Sequence, residues 1–362
     1  MTDLSDLRSQ FPVLDRVAYL NAGTNGPIPR RAAEAAAAEL TRDLEQGRAG
    51  AGHFERIEGL GSELRGALAG LLGCSADELA LTRSTTDGVN TVLAGIGLRP
   101  GDVLLTSDEE HPGLLAPLAG AARRAGAEVR AAPFAEVAAH ATSEIRLVAC
   151  SHVSWMSGQV LGVEALRATG VPFLLDGAQA LGAIPIDVGA LGCDYYAASG
   201  QKWLCGPEGS GCLYVRADRV GSLAPPWPSY MSLADPGRPA ELAFHEAARR
   251  LDTLYQSADR AAWALVSLEA LGETGWDRVH ERGPALAASL AERLADRGAR
   301  VSPRGRSTLV SWQIAAGEAR SAVERLGKEG VVVRDVPGAG LLRASVGAWS
   351  SEADLDRLLT LV

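Results

Sequence analysis

Short unbroken apolar runs set the tightest limit on how this chain can fold. VLLTS at 103–107, LVAC ending at Cys150 and PFLL ending at Leu175 show no alternation of apolar and polar residues. A strand without a polar face must be covered on both sides, as parallel strands are when helices cross over them. Helical stretches at 30–48, 53–73, 87–97, 113–125 and 163–169 alternate with strands at 79–81, 103–107, 127–132, 145–150, 171–175 and 193–198. The pattern predicts an α/β large domain with a mostly parallel central sheet between helices. A helix at 259–272 and a longer one to about 297 follow, then strands near 308–314, 330–334 and 341–346 and a last helix at 351–361. These predict a smaller C-terminal α+β domain. The expected division is an N-terminal segment 1–18, a large domain 19–264 and a small domain 265–362. The Pro/Gly-rich piece 224–238 fits no element and reads as a mobile or interface loop.

With 362 residues and a net charge of −9, the chain is suited neither to non-specific nucleic-acid binding nor to an anionic membrane surface. It begins without a basic, then apolar, leader and holds no run of about 18 apolar residues, so no signal peptide and no membrane span are expected. The cysteines Cys74, Cys150, Cys193, Cys205 and Cys212 form no C-x-x-C pair. A disulfide framework and a metal site are therefore not expected, and the expected setting is the reducing cytoplasm. Among 35 basic residues only Lys202 and Lys328 are lysines. Arginine stays protonated, whereas lysine can lose its proton and become a nucleophile. A lysine kept in so arginine-biased a chain is a candidate for that chemistry.

Lys202 stands in SGQKWLCGP, after an apolar strand and before a Gly/Pro turn. A lysine at a strand end projects into a cleft where its pKa falls and a Schiff base can form; the alternative is a snorkelling surface lysine. Lys328 lies at a polar helix end, where the surface reading prevails. Asp176 ends the buried run PFLLD and falls at the carboxyl edge of the sheet, where α/β ligand sites lie. It suits a partner such as a protonated pyridine nitrogen, or else it is a helix N-cap. Arg83-Ser84-Thr85-Thr86-Asp87-Gly88 opens a helix whose N–H groups, hydroxyls and dipole would bind an anion, with Ser199 and Gln201 as further donors. An ordinary Ser/Thr cap is the competing reading. His111, after the strand 103–107, either stacks on a planar cofactor or is simply solvated.

Taken together and in order, YLNAGTNGPIP (19–29), TRSTTDGVN (82–90), DEEHPG (108–113), SHVSWMSG (151–158), LLDGAQALGAIPID (174–187), SGQKWLCGPEGSG (199–211) and LLRASVGAWSSEADLDRLL (341–359) resemble the class V aminotransferase family of pyridoxal 5′-phosphate (PLP) enzymes, of fold type I. That family includes cysteine desulfurases, isopenicillin N epimerase and C–S lyases. The resemblance implies that Lys202 carries PLP and later moves the Cα proton, and that Asp176 pairs with the pyridine nitrogen. Gln179 would bond the phenolic oxygen and His111 would stack on the ring. Thr85, Thr86, Ser199 and Gln201 would hold the phosphate, and Arg343 the substrate α-carboxylate. Asn21 and Ala22 would line the pocket mouth, and Trp155 would fill space on the substrate side. It also implies a homodimer with sites at the interface, where Ser257 of one copy would reach the other's phosphate.

Two departures narrow the function. The residue before the lysine is usually His in the family and is Gln201 here. Desulfurases carry a loop with a persulfide-forming cysteine ahead of the carboxylate-binding arginine; here that segment is RDVPGAG (334–340), and no cysteine follows Cys212. The expected reaction is β-elimination of the C–S lyase kind on an amino-acid substrate. Epimerisation and transamination on the same cofactor are the alternatives. A non-catalytic accessory protein is a third, weakened by the joint presence of Lys202, Asp176, His111 and Arg343.

Overall fold

The computed structural model describes residues 4–315 and 317–362; residues 1–3 of the expected N-terminal segment lie outside the described residues. The chain opens with α1 (Leu4–Ser9), β1 (Ala18–Tyr19), α2 (Arg30–Gln46) and α3 (Ala51–Leu72). The alternating part comprises β2 (Leu79–Thr82), α4 (Thr85–Gly95), β3 (Val103–Ser107), α5 (Pro112–Ala125), β4 (Glu128–Ala132), α6 (Val137–His140), β5 (Ile145–Ser151), α7 (Val163–Ala168), β6 (Phe173–Asp176), α8 (Val188–Leu191), β7 (Tyr195–Ser199) and β8 (Gly211–Val215). Then come α9 (Ala217–Val220), α10 (Ala258–Thr274), α11 (Trp276–Asp296), β9 (Leu309–Gln313), α12 (Ala319–Lys328), β10 (Val331–Val332), β11 (Arg334–Val336), β12 (Leu341–Ser345) and α13 (Glu352–Leu359).

Seven strands form the central sheet in the order β2-β8-β7-β6-β5-β3-β4, and only β8 runs against the others. The apolar runs are explained by two cores, one on each face. Val103, Leu105, Val148, Cys150, Phe173 and Leu175 pack into one. Their neighbours Leu104, Leu147, Ala149 and Leu174 pack into the other. Successive side chains of a strand point to opposite faces, so covering both faces demands an apolar residue at every position. Five parallel strands end in a polar residue at the same edge: Thr82, Ser107, Ser151, Asp176 and Ser199.

A second sheet, β11-β12-β9, belongs to the C-terminal part. There β1 pairs in parallel with β10, and Ala18 and Leu20 join the core of Leu286, Leu290, Val310 and Leu342. The N-terminal segment thus closes onto the C-terminal core. The expected limit at 264/265 falls inside α10, one continuous helix packed on α2 and α3. Gly275 separates α10 from α11. The strand β8 escaped the sequence reading because GCLYV is short and lies close behind the Gly/Pro-rich turn that follows Lys202. The 224–238 piece holds one 3-10 turn, Tyr230–Ser232, capped by Ser229, with Trp227 and Tyr230 exposed. No helix among the described residues is long and apolar enough to cross a membrane.

Candidate active site

Three of the polar strand ends, Ser151, Asp176 and Ser199, open onto a pocket of about 380 Å³ lined by residues that include Thr85, Thr86, His111, Trp155, Asp176, Gln179, Ser199, Gln201, Lys202 and Arg343. Ten residues singled out from the sequence therefore meet in one place, from segments more than 250 positions apart. The mouth differs from expectation. Asn21 is tied to Ser345 by a backbone bridge and accepts a hydrogen bond from Thr24 Oγ1, and Ala22 is packed into the core. Gly23, Thr24 and Asn25 line the pocket instead. Ser257 is exposed at the N-cap of α10 and does not line this pocket. Ser84, Ser151, Ala178, Glu208 and Arg334 complete the wall. Ser84 stands in the helix start read as an anion site, and Ser151, Ala178 and Glu208 lie inside the resembling stretches without being singled out there.

Lys202 reaches the pocket from the turn after β7. It keeps some accessible surface there while protein surrounds it densely. Its amine forms no hydrogen bond and no ion pair with any described residue. Desolvation, with help from Arg343 and Arg334 and against the pull of Asp176, lowers its pKa to about 8. At neutral pH a useful fraction of the amine is thus unprotonated. Asp176 is 6% exposed and its Oδ1 accepts the Ala178 N–H at 2.9 Å, while no hydrogen bond from the described residues engages Oδ2. Burial pushes its pKa up, opposed by Lys202. Gly177 is forced by the next strand, since a Cβ there would lie 2.1 Å from Tyr196 Cε1.

Behind this floor, Glu110 is buried and accepts from Ser107 Oγ (2.6 Å), Ser151 N (2.9 Å) and Ser151 Oγ (2.5 Å). Burial raises its pKa to about 7, against those three bonds and with a contribution from Asp176. His111 caps α5 through Nδ1, which accepts the Gly113 N–H at 2.9 Å. Burial and the three nearby cations lower its pKa to about 4, so the ring is neutral, with its proton on Nε2. Its ring meets Trp155 edge to face at 4.8 Å. Gln179 donates to Gly23 O (2.8 Å) and accepts from Trp203 Nε1 (3.2 Å), leaving one Nε2 hydrogen for a ligand.

Arg343 is fully buried. Its Nη1 donates to Trp155 O at 2.8 Å, and its Nε and Nη2 have no partner. Those two donors form one edge of the guanidinium, the fork that matches a carboxylate. Desolvation and the neighbouring Arg334 push its pKa down to about 9. Arg334 is its register partner across β11 and β12. The Arg334 guanidinium lies 5.6 Å from the centre of the Trp155 ring and donates to Thr24 Oγ1 (3.2 Å) and Asp335 O (2.9 Å).

These unmatched groups fit PLP. Asp176 Oδ2 suits a pyridinium proton. The orphaned Thr85 Oγ1 and the N-terminus of α4, capped by Ser84 Oγ on Asp87 N, suit a phosphate. The unbonded Lys202 amine suits an aldehyde. Lys328 lines no part of the pocket. No cluster suited to a metal ion occurs among the described residues.

Comparison with known proteins agrees. The family described as Aminotransferase class-V matches residues 18–358. Isopenicillin N epimerase of Streptomyces clavuligerus is 30% identical, over 99% of this chain and 97% of the epimerase. A probable cysteine desulfurase of Mycobacterium leprae is 28% identical, over 99% and 95%. Two solved structures of the C–S lyase C-DES superpose closely. One has glycine covalently linked to the PLP cofactor (TM-score 0.92, 27% identity, 99% of this chain and 98% of that one). The other, described as the cystine C–S lyase, holds its reaction product cysteine persulfide (TM-score 0.91, 28% identity, 97% and 98%).

Proposed function

Given that the chain belongs to the class V aminotransferase family of PLP-dependent enzymes, we propose that it catalyses β-elimination from an S-substituted amino acid whose side chain ends in a second carboxylate, with cystine as the type substrate. The observation that carries this reading is the pair of guanidinium groups in one pocket, Arg343 deep and Arg334 beside it against Trp155. A single α-carboxylate engages only the first. The similarity to a cystine C–S lyase supports the same reading.

Bound in the pocket, PLP supplies an electron sink that acidifies the substrate Cα–H. The chain's own residues do the rest. Asp176 Oδ2 holds the ring-nitrogen proton. Thr85, Thr86, Ser199 and Gln201 hold the phosphate, and Gln179 the phenolic oxygen. Arg343 fixes the α-carboxylate through Nε and Nη2, which orients the Cα–H toward Lys202. Lys202 Nζ, with its lowered pKa, takes that proton and returns it to the leaving sulfur as the Cβ–S bond breaks. The three-carbon remainder hydrolyses to pyruvate and ammonia. His111 and Trp155 exclude water from one side. None of the five cysteines lines the pocket, and all are held with raised pKa, so sulfur leaves with the product rather than on the protein. Ser257, exposed here, suits the phosphate site of a second copy in a homodimer.

The test is a panel of amino acids assayed for pyruvate without an added acceptor, for keto acid with one, and for loss of optical activity. Acceptor-independent pyruvate and a persulfide from cystine are expected. Racemised substrate without pyruvate would instead make the chain an epimerase, the activity named for the Streptomyces clavuligerus relative.

A further inference from the structure

The turn that carries Lys202 ends in a strained residue. Cys205 has φ +55° and is one of two non-glycine residues with positive φ among those described. The left-handed region disfavours a side chain by about tenfold, so such a conformation persists only where its surroundings impose it. The surroundings here are explicit. Cys205 is buried, and its carbonyl accepts two hydrogen bonds from α10, one from Trp263 Nε1 at 2.9 Å and one from Ser267 Oγ at 3.0 Å. The two donors stand four residues apart, on one face of that helix. The Cys205 N–H closes the turn on Lys202 O at 3.2 Å. From the opposite side Gly26 N donates to Gln201 O at 2.7 Å, and any Cβ at Gly26 would fall 2.1 Å from Lys202 O. Nothing in the proposed reaction uses Cys205, Trp263 or Ser267.

We propose that α10 aims Lys202: Trp263 and Ser267 hold Cys205 in its left-handed conformation, and the resulting turn fixes the backbone from which the lysine reaches the pocket. They are positioning residues, and the arrangement concerns cofactor capture whatever the substrate.

The experiment measures how fast the apoprotein takes up pyridoxal phosphate, read from visible absorbance, as a function of pH, alongside thermal unfolding. Removing one donor leaves half the clamp, so Ser267→Ala slows capture by about fivefold, the factor for roughly 1 kcal/mol of a hydrogen bond. Trp263→Phe with Ser267→Ala slows it by more than about tenfold. The pH midpoint of capture rises in both, because a lysine that wanders is less desolvated. Adding Cys205→Gly restores most of the rate, since glycine holds φ +55° unaided. If the paired variant unfolds, Ser267→Ala with and without Cys205→Gly carries the same comparison. A lower melting temperature with unchanged capture rate and midpoint would make the clamp merely structural and overturn the proposal. Slow capture that Cys205→Gly does not restore would overturn it too.

Discussion

Replacing Arg334 by Gln tests the proposed substrate class most directly. In the structure Arg334 is half-buried, spends Nε on Asp335 O and Nη1 on Thr24 Oγ1, and keeps Nη2 for a ligand. A charge-assisted hydrogen bond contributes about 1.5–3 kcal/mol, and partial exposure discounts the pair to roughly 1–2 kcal/mol. The expected loss in kcat/KM for cystine is therefore about 5–30-fold. The substitution also removes the contact with Trp155 and one of the cations that lower the Lys202 pKa. Both effects bear equally on any amino acid, so they cancel when cystine is compared with S-methylcysteine, which has no second carboxylate. The decisive quantity is the ratio of the two kcat/KM values from steady-state pyruvate release. It should fall by about 5–30-fold in Arg334→Gln, and by less in Arg334→Lys, which keeps the charge but not the fork. An unchanged ratio, with both substrates losing equally, would refute a carboxylate subsite at Arg334.

Three further outcomes follow from the same geometry. Apoprotein capture of pyridoxal phosphate should rise with pH around a midpoint near 8, because only the neutral Lys202 amine attacks; Arg343→Gln, which deletes a repelling cation, should move that midpoint upward. Arg343→Lys should lower kcat/KM by about 10–100-fold for all substrates, since the single ammonium cannot replace the Nε/Nη2 fork; steady-state kinetics with both cystine and S-methylcysteine would read this. Glu110 has a folded pKa of about 7 against 4.5 for an ordinary glutamate, so its contribution to stability is present below pH 4.5 and is lost as the pH rises through 7. Urea unfolding of the apoprotein should show Glu110→Gln gaining on the parent across that window by up to roughly 3 kcal/mol; a gap that stays constant with pH would contradict it.

How much of this was readable in advance depends on the range of the interaction involved. The continuous apolar runs announce a doubly covered sheet because a strand's burial is written in its own residues. Asp176 is legible for a related reason, since a polar residue that closes such a run must emerge at the sheet's carboxyl edge, and Lys202 because it is one of two lysines in the chain and follows such a strand. Arg343 emerges only through the family pattern, because it sits inside an apolar strand where an arginine alone reads as an anomaly. The pocket mouth is displaced by two residues, from Asn21 and Ala22 to Gly23, Thr24 and Asn25. The cause is the pairing of β1 with β10 some 310 positions away, which fixes where the N-terminal segment leaves the small core. The clamp on Cys205 is less legible still. It joins a backbone carbonyl to two side chains about 60 residues on, and neither Trp263 nor Ser267 departs from what an ordinary helix holds. Composition and periodicity thus reach residues whose environment is local. The residues that orient them become visible only when distant segments are seen to touch.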